Sequence, residues 1–329
     1  MNTMKWLVKR EFWEHKGGFF WAPVWVGGAW TLLVAGTILL LTALGKSHGI
    51  QMHGDKFYTL SSALSPQDQQ ELIVSLATGY MGIAAPVFFV LTIAIFFFCI
   101  GSLYDDRRDR SALFWKSLPF SDAETVLSKI VMGIFAAPLI ALAIATIASL
   151  LMLLAFCVAA AFVGLNFTAI LAQPGLYLSP FEIAGMLPVY VMWALPTIGW
   201  LMLVSAWART MPFLWAVGAP LLAWFLLWFF DAIFGFGWNV AWFGQHIVGR
   251  GLGGTVFGIW FAYHPAETIG ETIVHAANGV VIHRHSDDMG TLMLQSWHVF
   301  ATADLWIGVV AGAAMIFAAI RLRRWRDEG

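Results

Sequence analysis

Long apolar runs separated by short polar clusters dominate the chain, and six of the runs match the length of a membrane-crossing helix, about 20 residues. Gly17 to Gly45 carries no charge and is too long for the core of a cleaved signal peptide, so it predicts a retained span near 20–44. Leu72 to Tyr104 predicts a second span near 78–103, and the uncharged stretch from Ile130 to Phe181 a third near 130–162. The part of that stretch holding Asn166, Gln173 and Pro174 reads as a connection. Spans four (184–207) and five (211–230) flank a turn at Arg209, with Pro212 restarting the helix and Asp231 closing span five. A sixth, near 303–320, ends at the basic segment RLRRWRDEG. Ahead of the first span, residues 1–16 predict an amphipathic interfacial helix, with Met4, Leu7, Val8 and Phe12 on one arc and Lys5, Lys9 and Lys16 beside it. Glu11 falls inside the apolar arc and breaks the pattern.

Charge placement orients these spans. If residues 1–16 are cytoplasmic, fourteen of the 18 Lys and Arg fall inside, and only Lys46, Lys56, Arg250 and Arg284 fall outside. That asymmetry predicts six spans with both termini in the cytoplasm. Three regions then lie outside: 46–71, roughly 164–182, and a large one at 231–301. The expected fold is an all-α membrane protein forming one transmembrane domain over 1–329. Composition agrees, with 60% hydrophobic and 11% charged residues, against roughly 45–50% and 25% in soluble domains. A net charge of −1 supplies no basic field for nucleic acid. Cys99 and Cys157 lie in apolar runs, which leaves no disulfide framework or C-x-x-C site.

Familiar catalytic signatures are missing. Gly45-Lys46-Ser47 has the tail of a phosphate-binding loop, but Leu40 stands where its first glycine is required. Gly249, Gly251, Gly253 and Gly254 follow no predicted strand and read as a flexible outer loop. No H-E-x-x-H, G-x-S-x-G or kinase set occurs. The predicted midplanes carry no charge, whereas ion-coupled carriers keep ionisable groups there. Energy for any transport would come from another chain.

The most informative stretch is 105–129, DDRRDRSALFWKSLPFSDAETVLSK, in which ten charged groups surround a short apolar core. Ser121-x-x-Glu124 is a capping box that predicts a helix starting at Asp122 and running into span three. Pro119 ends what precedes it, leaving Arg107 to Ser117 as a second short helix that carries Leu113, Phe114 and Trp115. Those aromatics fit either a partner's groove, with Arg107, Arg108 and Arg110 at its rim, or the lipid headgroups.

Ser111 to Lys129 resembles the loop between spans two and three of type-2 ABC exporter permeases: an apolar stretch, a Leu-Pro followed by a small polar residue, then an acidic-led helix ending in Lys. The interfacial helix, six spans and large outer region are similar to that family as well. The resemblance implies a dimeric permease, homodimer or heterodimer, in the lipids of a bacterial cytoplasmic (inner) membrane. It further implies docking on separate ABC ATPase subunits that hold ATP and Mg, with no cofactor on this chain. The coupling role would fall on Phe114, Trp115, Lys116, Leu118, Pro119, Asp122 and Glu124. The outer region is long and His-rich for the family.

Outside, His264, Glu267, Glu271 and His275 would share one helix face if 264–277 is helical, and His283, His285 and Asp287 follow. Glu271 and His275 with one of these three suit a borderline metal, the basis of an alternative reading as a membrane-embedded metal enzyme. An ATP-independent carrier is a third possibility, disfavoured by the empty midplanes. Trp193, Trp200 and Trp207 form a stripe on span four suited to packing or lipid contact, and Gly308 and Gly312 offer a close-approach face on span six. Pro86, Pro138, Pro188, Pro196 and Pro220 interrupt the spans.

Overall fold

The computed structural model describes residues 3–48, 66–108, 121–163, 166–263, 272–275, 281–284 and 289–326. The chain is an all-α membrane protein. Its six helices long and apolar enough to cross a bilayer are Gly17–Leu44, Tyr80–Arg108, Asp122–Phe162, Pro174–Trp207, Leu214–Phe234 and Ala303–Arg324, here spans one to six. A short helix, Thr3–Glu14, precedes them.

Span three begins where the capping box requires. Ser121 is extended, its hydroxyl accepts from the Glu124 amide at 3.1 Å, and the Glu124 carboxylate accepts from the Ser121 amide at 2.9 Å. Span four starts at Pro174, ten residues ahead of the expected boundary, so most of the expected 164–182 connection is helix. Proline in the first turn suits a helix start because its missing N–H would be unpaired there anyway. Pro180 then leaves the Leu176 carbonyl without its helical donor, and the Tyr80 hydroxyl of span two donates to that oxygen at 2.8 Å. A proline that reads as a breaker is repaired by a neighbouring span.

Span four is the hub: 67% of its apolar window is buried, compared with none of span five's. Its closest partner is span six. A Cβ on Gly312 would stand 2.7 Å from the Leu195 carbonyl carbon, and one on Gly199 2.6 Å from the Gly312 oxygen. Only glycine allows such backbone contact, so of the face expected on span six Gly312 makes the close helix approach, while Gly308 makes room for the Arg250 side chain. The tryptophan stripe divides: Trp193 is fully buried, Trp200 donates to the Ala216 carbonyl at 3.0 Å, and exposed Trp207 meets Trp215 edge-on.

The stretch between spans five and six departs most from expectation. Residues 239–263 fold as short helical turns that pack into the bundle. The Thr197 hydroxyl donates to the Arg250 carbonyl at 2.6 Å, the Thr92 hydroxyl to the Thr255 carbonyl at 3.0 Å, and Phe257 stacks on Phe88. The glycine cluster is therefore a packed element and not a flexible loop. A Cβ on Gly254 would come 3.2 Å from the Trp193 carbonyl oxygen. Beyond it, Thr272–His275 and Val281–Arg284 pair as antiparallel strands with Ile273 opposite His283. The expected helical face through His275 therefore does not form. The β-branched run Thr272-Ile273-Val274 favours a strand, and Asn278-Gly279 in the intervening sequence is a common hairpin pair.

Candidate functional site

At the end of the bundle where Thr3–Glu14 lies and span six finishes, five charged side chains form a chain of ion pairs. Glu11, on the apolar arc of the first helix, is 0% exposed and meets Lys129 of span three at 3.3 Å. Lys129, 2% exposed, reaches Asp106 of span two at 3.5 Å. Asp106 also meets Arg323 of span six at 3.3 Å, and Arg323 meets Asp122 at 3.5 Å. The pattern break at Glu11 is thus explained: the helix turns its apolar arc toward the protein, with Leu7 and Glu11 buried on it.

Local structure fixes each member. Asp122 is held in the first turn of span three by the Ser121 box. Asp106 lies in the last turn of span two, whose end is tied to span four. There Ser205 Oγ accepts from the Leu103 and Tyr104 amides at 3.0 Å, and the Arg107 guanidinium donates to the Ser205 carbonyl and, at 3.0 Å, to that of Ala208. Arg107 thereby satisfies carbonyls at the end of span four, where helix oxygens lack internal donors. Arg323 thus grips both flanks of 109–120, while Lys129 carries the linkage to the first helix. A displacement of that loop bears on spans two, three and six together, and on span four through Arg107.

Of the loop residues singled out from sequence, Arg107, Asp122 and Glu124 are placed here with internal partners, and Arg108 is exposed. Arg110, Phe114, Trp115, Lys116, Leu118 and Pro119 lie outside the described residues. Among the metal candidates, His275 and His283 fall on the two strands, at non-opposed positions. His264, Glu267, Glu271, His285 and Asp287 lie outside the described residues. Elsewhere, Glu11, Glu14 and His15 bring ligand atoms within 4.8 Å of one another. Glu11 is held by Lys129 and Glu14 by Arg10 at 2.7 Å, so both carboxylates already have cations.

In comparisons with protein-family models, curated proteins and solved structures, the chain matches none.

A second buried arginine sits well away from the ion-pair chain. Arg250, 6% exposed, lays its guanidinium 4.0 Å from the Trp193 ring centroid and donates to the carbonyls of Asp304, at 2.5 Å, and Leu305, at 3.5 Å. Trp193 is twelve residues from Ser205 along span four, about 18 Å at 1.5 Å per residue. A charge thus enters the height of the spans, where sequence reading expected none and assigned Arg250 to an outer loop. Among the described residues no carboxylate lies within ion-pair distance of Arg250. Arg250 lines a half-open cavity of about 420 Å³ between spans four, five and six. Sequence reasoning missed it because 239–263 has no 20-residue apolar run; the signal available was an arginine inside a glycine- and aromatic-rich stretch.

Proposed function

We propose that this chain is the transmembrane permease subunit of an ATP-driven ABC exporter, working as a dimer on separate ATPase subunits. The observation that carries the reading is the ion-pair chain through Lys129, Asp106, Arg323 and Asp122, which joins both flanks of the 109–120 loop to spans two, three and six and to the first helix. A loop that receives force from a partner needs this kind of mechanical link to the spans, because packed elements transmit displacement as bodies. The sequence of 111–129, the absence of a phosphate-binding loop and the six apolar helices support the same reading.

In this mechanism the ATPase subunits grip 109–120 through Phe114, Trp115 and Leu118. ATP-driven closure moves the loop, and the ion pairs carry that motion into the span ends. In this reading both termini and the loop face the cytoplasm, an orientation that the Lys and Arg asymmetry supports.

The reading is tested by affinity purification of the tagged chain from native membranes. An ATPase chain should co-purify, and Trp115→Ala or Pro119→Ala should weaken its recovery or uncouple ATP hydrolysis from transport while leaving the elution profile of the permease unchanged. Recovery of the chain without any ATPase overturns the proposal.

A further inference from the structure

Burying a cation in a bundle of apolar helices is costly unless an anion or a full set of acceptors compensates it. Arg250 has two backbone carbonyls and the face of Trp193, while its Nε has no acceptor. Those two carbonyls belong to the start of span six. The guanidinium is pressed onto that helix at Gly308, where any side chain would collide with it. The cavity it lines is predominantly apolar. Trp200 of span four, Ala223 of span five, and Ile307, Ala311 and Met315 of span six form its walls. Spans five and six make no extended contact among the described residues, so the cavity is a cleft between them closed behind by span four. At about 420 Å³ it falls in the range of roughly 300–1,000 Å³ typical of small-molecule sites. His246 and Asp304 also line the cleft. The Asp304 carboxylate disfavours a ligand with more than one negative charge, by like-charge repulsion.

From this arrangement we infer that the cleft binds a monoanionic lipid, its single acidic group on Arg250 and its alkyl chain along Ala311 and Met315 between spans five and six. Charge complementarity selects the headgroup: Arg250 has no carboxylate at ion-pair distance among the described residues, with Asp304 acting on it only from farther off, and the walls offer hydrocarbon contact. The inference does not rest on the permease reading, because it concerns a site within this chain alone.

The test uses the full-length chain in nanodiscs of zwitterionic lipid, labelled with a palmitic acid analogue bearing a photoreactive diazirine in its tail, and adducts mapped by mass spectrometry. Adducts are expected on 196–200, 219–223 and 307–315, displaced by palmitate or phosphatidylglycerol but not by hexadecanol or acetate. Arg250→Gln should reduce labelling about tenfold, the scale of a lost charge-assisted hydrogen bond. Ala311→Trp, which fills the cleft and leaves Arg250 in place, should abolish it even if Arg250→Gln fails to fold. Labelling spread evenly over lipid-facing surfaces, equal displacement by hexadecanol, displacement by acetate alone, or indifference to Ala311→Trp overturns the inference.

Discussion

Arg323 and Arg250 are buried to the same extent, each 6% exposed, the one carried by span six and the other lying against it, yet their surroundings differ in kind. Arg323 meets two carboxylates, Asp106 and Asp122, from two other spans. Arg250 meets backbone carbonyls and an aromatic face and lines an open cleft. A buried cation with its counter-charges supplied by the same chain is a fastener, since separating the elements strands charges on both sides. One held by carbonyls and an aromatic face, with no carboxylate at ion-pair distance among the described residues, is only partly compensated and can take an anion from outside. The contrast assigns the two ends of the bundle different work: one holds spans together around a loop, and the other holds a site open between spans.

The contrast is broken most directly at the fastener. Arg323→Met leaves Asp122 without its partner and takes one cation from Asp106, and a buried pair broken from one side costs about 3–5 kcal/mol. Unfolding of the detergent-solubilised chain should show that loss. Combining Arg323→Met with Asp122→Asn and Asp106→Asn should recover part of it, because the stranded charges are gone. A triple variant no better than the single one would mean that the ion pairs do not hold this end together.

Gly312 sharpens the comparison by asking how much of the span four to span six contact is backbone fit, independent of either arginine. The new Cβ of Gly312→Ala would meet the Leu195 carbonyl and the Pro196 nitrogen, at 2.7 and 2.8 Å, and backbone cannot swing aside as a side chain can. Overpacking of this sort costs about 1–3 kcal/mol. A melting temperature unchanged from the parent would show that the two spans are free to separate. Arg250→Met should cost less than Arg323→Met, about 0.5–2 kcal/mol for the lost aromatic contact, since no carboxylate is stranded. Equal losses at the two arginines would erase the distinction between fastener and site.

The parts of the fold that sequence disclosed are those governed by local or composition-wide rules. Six runs of apolar residues had to become six helices, because lipid leaves the backbone no other partner. Ser121 and Glu124 set the start of span three because a capping box is complete within four residues. What stayed hidden depends on contacts between distant segments. Glu11 broke a helical pattern for a reason 118 residues away, at Lys129. How span four accommodates Pro180 stayed hidden because the Tyr80 hydroxyl that takes up the freed Leu176 carbonyl belongs to another span. Arg250 read as a loop charge because its environment is made by Trp193 and the start of span six. The ion-pair chain was present in the sequence only as a count of charges near one end.

The smallest expected effect probes how the loop is joined to the fastener. The Ser121 hydroxyl accepts from the Glu124 amide, and the turn it caps carries Asp122, the second carboxylate on Arg323. Removing a cap costs about 1 kcal/mol, and less where water can take over the freed amide, as it can at exposed Ser121. Global unfolding of Ser121→Ala should therefore barely move, whereas amide exchange over 123–125 should quicken, because fraying of one turn requires far less than global unfolding. Ser121→Asp keeps an acceptor at the same position and should restore slow exchange. If alanine and aspartate exchange alike, the cap contributes nothing and Asp122 is held by Arg323 alone. If only alanine frays, the cap and the ion pair act in series, and the flank of the loop is held from the backbone of span three as well as from the side chain of span six.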